Sequence, residues 1–190
     1  MATNVVELNA ARMRDNIGEL LDTVTITCIE DIHDAAANLA EIARERGMQI
    51  AVCDDISSKE PMVDADGTIL NADVFHWLDD GARWWEDHRL ALHSPLPRAC
   101  RYESEPFWVN ASGFNTRWRN SYLDEIDLND FEKRSLCKAA IVIPVHLPFG
   151  QISASSFISM DREKEDLSEE FARDGVLFSQ ITRRFVAGYV

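Results

Sequence analysis

Nine of the seventeen aromatic residues, all five tryptophans among them, crowd into the stretch from Phe75 to Trp118. Small-molecule sites are mostly apolar and aromatic, with a few polar groups that fix orientation, and an indole N–H is such a group. The candidate ligand-binding residues of this stretch are Phe75, Trp77, Trp84, Trp85, His88, Tyr102, Phe107 and Trp108. On a helix Trp84 and His88 share a face at the i, i+4 spacing while Trp85 points about 100° away, so one tryptophan lines a cavity and the other packs. The plainer alternative is a tryptophan-rich core, since each aromatic buries about 150–250 Å² wherever it packs. A second polar candidate is Ser156. On an extended strand it shares a face with Ile152, Ala154 and Ile158, one hydroxyl in an otherwise apolar row that needs a partner, either a backbone carbonyl or a ligand.

Other reactive side chains are present without the spacing that catalysis or metal binding requires. His33, His76, His88, His93 and His146 are scattered, and the five-residue step from His88 to His93 does not align on a helix. Cys28, Cys53, Cys100 and Cys137 form no CxxC pair, which excludes a zinc knuckle or a thioredoxin-type motif and leaves four reduced thiols. Asp54 and Asp55 disfavour a thiolate at Cys53, and no nucleophile elbow occurs. The turn Asp64-Ala-Asp-Gly67 continues into Ile69 and Leu70 instead of the oxygen ligands and closing Glu of a calcium loop. Glu103 and Glu105, beside the aromatic stretch, are the remaining arrangement for general acid–base work in a small enzyme. The reading is of a non-enzyme without catalytic residues, metal or cofactor.

The elements that hold these residues follow from periodicity. Asn4 and Glu7 form a capping-box pair ahead of Met13, Ile17, Leu20 and Val24. A second helix runs from about Ile29 to Arg46, with Ile32, Ala36, Leu39 and Ala43 on one stripe and Gly47 ending it. Gln49–Cys53 reads as a buried strand and Thr68–Asn71 as another. A helix over Leu78–Leu92 stops before Ser94-Pro95, because the residue preceding proline disfavours helical geometry, and a further helix reaches about Glu103. Pro106–Val109 is extended, and Gly113–Asn129 a polar loop with short helical turns. Lys138–Leu147 and Gln151–Met160 make a hairpin, and Phe171, Phe178, Ile181 and Phe185 mark a last helix. This order predicts an α+β fold, an antiparallel sheet covered by helices, and not a Rossmann fold, since no glycine-rich phosphate loop follows a strand.

The chain of 190 residues fits one domain, and 46% hydrophobic residues with a mean hydropathy of -0.22 suit a globular protein. Its formal charge of -14 repels phosphate backbones, so this segment should not bind nucleic acid by itself. No apolar run approaches the roughly 18–20 residues of a membrane span, and Met1–Asn9 lacks the basic-then-apolar order of a secretion signal. The expected location is the cytoplasm, with no membrane partner.

Four motifs then stand in order: Trp84-x-x-x-His88, Ser94-Pro95, Pro106-Phe-Trp108, and the hairpin from Ala139 through Pro144 and Gly150 to Ser156. Together they resemble the autoinducer-binding domains of LuxR-type transcription regulators of quorum sensing. The likeness covers about Val74–Val190, and the two N-terminal helices agree in kind. It implies an α-β-α sandwich with a central antiparallel sheet, GAF/PAS-like, holding its ligand between the sheet and one helical layer. It also implies a homodimer whose DNA contacts belong to a helix-turn-helix domain expected beyond residue 190, outside this chain, which stops at Val190 within an amphipathic helix. By the resemblance, Trp84 donates to the ligand, Trp108 packs on its ring and Ser156 reaches its amide end. Ser94 stands where the family has an aspartate that accepts the amide N–H of acyl-homoserine lactones, Asp80 and His88 where it has tyrosines, and Ala140 where a glycine is common. The implied partner is therefore a small apolar or aromatic ligand and not necessarily a lactone. The alternatives are a GAF/PAS-like dimerisation module without ligand and a small cytosolic enzyme.

Overall fold

The computed structural model describes residues 17–58, 60–77 and 93–190. The Asn4–Glu7 cap and the helix expected over Leu78–Leu92, with Trp84, Trp85 and His88, lie outside the described residues.

Residues 17–23 are helical, and a 3-10 turn at Ile29–Asp31 leads into α1 (Ile32–Arg44) and then β1 (Met48–Cys53). The short helix α2 (Pro95–Ala99) precedes β2 (Phe107–Asn110) and β3 (Gly113–Asn115), and α3 (Phe131–Ser135) precedes the hairpin of β4 (Ala139–His146) and β5 (Ile152–Ser159). The long helix α4 (Ser168–Tyr189) follows. All five strands form one antiparallel sheet in the order β1-β5-β4-β2-β3. The mixed α/β architecture and antiparallel sheet expected from the sequence are present.

Period-two alternation decides which residue meets which layer. Met48, Ile50, Ile141, Ile143 and Phe157 point to a face covered by α1 and α4, where they meet Leu39, Phe178, Ile181 and Phe185 in one core. Phe157 stacks on Phe178 with ring centroids 4.1 Å apart. The alanines of α1, Ala35, Ala36, Ala40 and Ala43, are buried there, and their small size lets the helix sit close on the sheet. Gly47, at φ 71°, supplies the left-handed residue that turns α1 into β1. Gly188 lets α4 pass the segment after the first helix: a Cβ on it would lie 2.7 Å from the Ile26 carbonyl oxygen.

The opposite face carries Ala51, Phe107, Val109, Ala140, Val142, Ala154 and Ile158, packed against Leu96, Ala99, Cys100, Leu123, Ile126 and Phe131 from short helices and loops. Among the described residues the helices over this layer are short, because prolines and polar turns interrupt the chain there. Pro144 is tolerated inside β4 because pairing with β2 reaches only Phe107↔Val142, so the missing N–H costs no bond on that side.

Three boundaries differ from the sequence expectation. Instead of a strand, Thr68–Asn71 contributes a single bridge, Val63↔Ile69, and enters a π-helical turn at Leu70–Val74. The cause is Asn71: its buried carboxamide accepts from the Val52 N–H at 3.0 Å and donates to the Val52 carbonyl at 2.7 Å. It does at the edge of β1 what a neighbouring strand would do, and the backbone around it is free to coil. The helix after Ser94 ends at Ala99, short of Glu103. Within the expected polar loop, Gly113–Asn115 instead folds back on β2 as a strand, pairing Trp108 with Asn115.

Candidate functional site

The second face of the sheet holds a cavity of about 70 Å³. Its floor is strand: Ala51 and Cys53 from β1, Ala154 and Ser156 from β5, Val142 from β4. These residues converge because the register sets Ala51 opposite Ser156, Cys53 opposite Ala154 and Val142 opposite Ser156. Its roof is irregular chain and short helices: Ile56, Trp77, Ser94, Leu96, Pro97, Cys100, Arg134, Ser135 and Leu136. On the scale of about 10–15 Å³ per water, the space equals about five to seven waters, enough for a compound of at most one ring.

Arg134 organises the roof. Its Nε and Nη2 donate to the His93 carbonyl at 2.9 and 2.7 Å, and its Nη1 donates to the Asp127 and Asn129 carbonyls and to Asp127 Oδ2 at 2.9–3.0 Å. The planar guanidinium thus ties the segment that starts Ser94 to the loop before α3, a fork that an ammonium cannot reproduce. Two non-glycine residues in left-handed geometry bracket α3, Asp130 at φ 53° and Leu136 at φ 59°. Each costs on the order of 1 kcal/mol or more, and such conformations persist where surrounding contacts over-determine them. Other hydrogen bonds fasten the floor strands to one another and to the roof. His146 Nε2 lies 2.8 Å from the Cys100 carbonyl oxygen, Gln151 donates to the Asp54 carbonyl at 3.0 Å, and Ser153 Oγ donates to the Cys53 carbonyl at 2.6 Å.

The lining carries little charge. Among the described residues no carboxylate lines the cavity, and Arg134, the one charged side chain there, is engaged by Asp127 and three backbone carbonyls. Burial pushes the Cys53 thiol up to about 12 and raises that of Cys100 as well, so both stay protonated at neutral pH. The wall is therefore apolar surface with three serine hydroxyls, two neutral thiols and an indole. Among the described residues no paired base or activated nucleophile faces the space. Among the described residues no group of three or more His, Cys, Asp or Glu side chains is placed to hold a metal ion. No helix among them is long and apolar enough to cross a membrane.

The aromatic stretch does not form one wall. Of its described members the cavity takes Trp77, and it takes Ser94 and Ser156 of the other candidates. Phe107 is fully buried in the same layer, edge-on to Phe114 at 5.9 Å, beside the cavity without lining it. Trp108 follows Phe107 on one strand and must point the other way; it packs with the α1–α4 core, as does Phe75, which lies edge-on to Phe185 at 6.3 Å. Tyr102 is exposed and stacks on Tyr122 at 5.6 Å. Trp118 is 70% exposed. Glu103 and Glu105 border an open surface groove with Arg117 and Trp118, remote from the cavity lining.

Ser156 sits as the alternation of β5 requires. Cys53, Cys100, Arg134, Ser135 and Leu136 were not among the sequence candidates. Cys53 had a signal, since its strand repeats the small-residue alternation of β5. Arg134 and Ser135 had none, because a five-residue helix between two left-handed residues has no periodicity to read. No protein-family model matches this chain, and no curated protein matches it.

Proposed function

We propose that this domain binds a small, neutral, apolar or aromatic ligand in the cavity between the sheet and the α2–α3 layer. It serves as the sensing and dimerising part of a LuxR-type transcription regulator with a GAF/PAS-like fold. The observation that carries the reading is the composition of the cavity wall: apolar strand residues, the Trp77 indole and the Ser94, Ser135 and Ser156 hydroxyls, with no carboxylate among the described residues. Apolar walls with a few polar groups are the mark of a ligand pocket. The ordered motifs from Ser94-Pro95 to Ser156 support the regulator assignment, and the same serine in place of an aspartate favours a ligand other than an acyl-homoserine lactone. DNA binding and cytoplasmic action follow from that assignment, with the acidic surface leaving DNA contact to another domain.

The test uses α-methylstyrene, a one-ring hydrocarbon of suitable size. It should raise the melting temperature of the protein in a concentration-dependent way, and Ala154→Leu, which fills the floor, should abolish the shift. Native mass spectrometry should show the adduct in the first protein and not in the second. An equal response of both proteins, or of neither, rejects the cavity as the binding site.

A further inference from the structure

One buried hydroxyl in the cavity wall has no partner. Ser135 is 6% exposed, lines the cavity, and its Oγ makes no hydrogen bond among the described residues. A buried polar atom left unpaired is rare in native proteins, and each case points to a missing water, ion or ligand. Ser155 and Thr182 are also unpaired and buried, but neither lines the cavity. Ser135 is also the last residue of α3, the helix bracketed by the left-handed Asp130 and Leu136 and tied through Arg134 to the segment that starts Ser94. A strained and clamped support that presents one unsatisfied hydroxyl to a cavity has the form of a prepared binding contact.

We infer that Ser135 is the specificity-determining hydrogen-bond donor of this pocket, giving its hydroxyl hydrogen to a carbonyl-type acceptor on the ligand. This rests on the proposed binding function and narrows its ligand class to neutral, ring-sized compounds that carry a carbonyl, as ketone, amide or ester. The choice of a neutral acceptor follows from the wall. Thiols at Cys53 and Cys100 stay protonated, and Arg134 already spends its N–H groups on His93, Asp127 and Asn129, so an anionic ligand would find no free cation among the described lining residues. Ser94 and Ser156 are half-buried and flank the same space, able to complete the second lone pair of the acceptor.

The experiment compares acetophenone with α-methylstyrene, which share a shape and differ in C=O against C=CH₂. Dissociation constants are measured by calorimetry for the unmodified protein, Ser135→Ala and Ser135→Cys. The change in the ratio of the two affinities between proteins cancels solvation of the free ligands. The ratio should shift about fivefold against the ketone in Ser135→Ala, the size of one hydrogen bond, and similarly in Ser135→Cys, which keeps the volume but donates weakly. Without ligand, Ser135→Ala should melt a few degrees higher, because the unpaired hydroxyl is gone. An unchanged ratio with α-methylstyrene still bound overturns the anchor and leaves the pocket standing. Failure of both compounds to bind the unmodified protein overturns the pocket and the anchor together. A lower melting temperature for ligand-free Ser135→Ala shows the hydroxyl to be satisfied within the fold and also overturns the anchor.

Discussion

Replacing Asn71 by alanine should destabilise the protein by about 2–4 kcal/mol. The carboxamide is 1% exposed and meets both backbone groups of Val52, itself 1% exposed, at 3.0 and 2.7 Å. Truncation leaves a buried N–H and a buried carbonyl unpaired, each costing about 1–3 kcal/mol, and releases a carboxamide that no longer has to be desolvated. With a urea slope of about 1–3 kcal/mol/M for a domain this size, the midpoint should fall by about 1–2 M at unchanged slope. Asn71→Asp keeps the shape and the acceptor but sets a carboxylate oxygen where the N–H donor stood, against the Val52 carbonyl. It should be at least as damaging, and more so at pH 7 than at pH 4. The backbone carbonyl of Asn71 accepts the Trp77 N–H at 2.9 Å, so loosening this segment in either variant should displace Trp77 and weaken α-methylstyrene binding alongside stability. A change below about 0.5 kcal/mol for Asn71→Ala, measured by urea unfolding followed by tryptophan fluorescence and circular dichroism, refutes the reasoning that this side chain closes the edge of β1.

Thiol chemistry and pH give two more expectations. Burial pushes the thiols of Cys53 and Cys137 up to about 12 and raises Cys100 too, whereas Cys28 is exposed, so iodoacetamide at pH 8 should modify one cysteine in the native protein and four after unfolding; native modification of Cys100 contradicts this. Asp64 is held at about 2 by His33 Nδ1 at 2.8 Å and by the N–H groups of Thr68 and Asp66. A folded pKa below the ordinary 3.8 means that its contribution is complete above about pH 4 and is lost as the pH falls toward 2. The stability gap between the unmodified protein and Asp64→Asn should accordingly be open at about pH 4–5 and close as the pH falls toward 2, and a gap that does not shrink over that acid range contradicts the assignment.

The sheet was legible because its residues obey a local rule. Alternation in Ile152, Ala154, Ser156 and Ile158 predicts a shared face, and Ala154 and Ser156 do line the cavity. The same rule, applied to the neighbours Phe107 and Trp108, separates them onto opposite faces, which an aromatic count by itself does not reveal. The roof was far less legible. Ser135 reaches the cavity through a five-residue helix held between left-handed residues and an arginine that grips backbone carbonyls, and carbonyls carry no side-chain identity in a sequence. Asn71 misled for a related reason: a segment rich in apolar residues looks like a strand until one side chain replaces the strand's own hydrogen bonds.

The sheet order joins its first strand to its last, with Met48 opposite Ser159. Ala51 and Cys53 can meet Ala154 and Ser156 only after a loop of about a hundred residues has closed, and pairings this distant in sequence slow folding. During synthesis β1 emerges long before its partner, carrying an open edge that only β5 and Asn71 will cover. The cavity floor is therefore among the last features to exist. A ligand of the kind proposed would meet the native state alone and stabilise it by mass action, so its supply would set how much of the newly made chain persists.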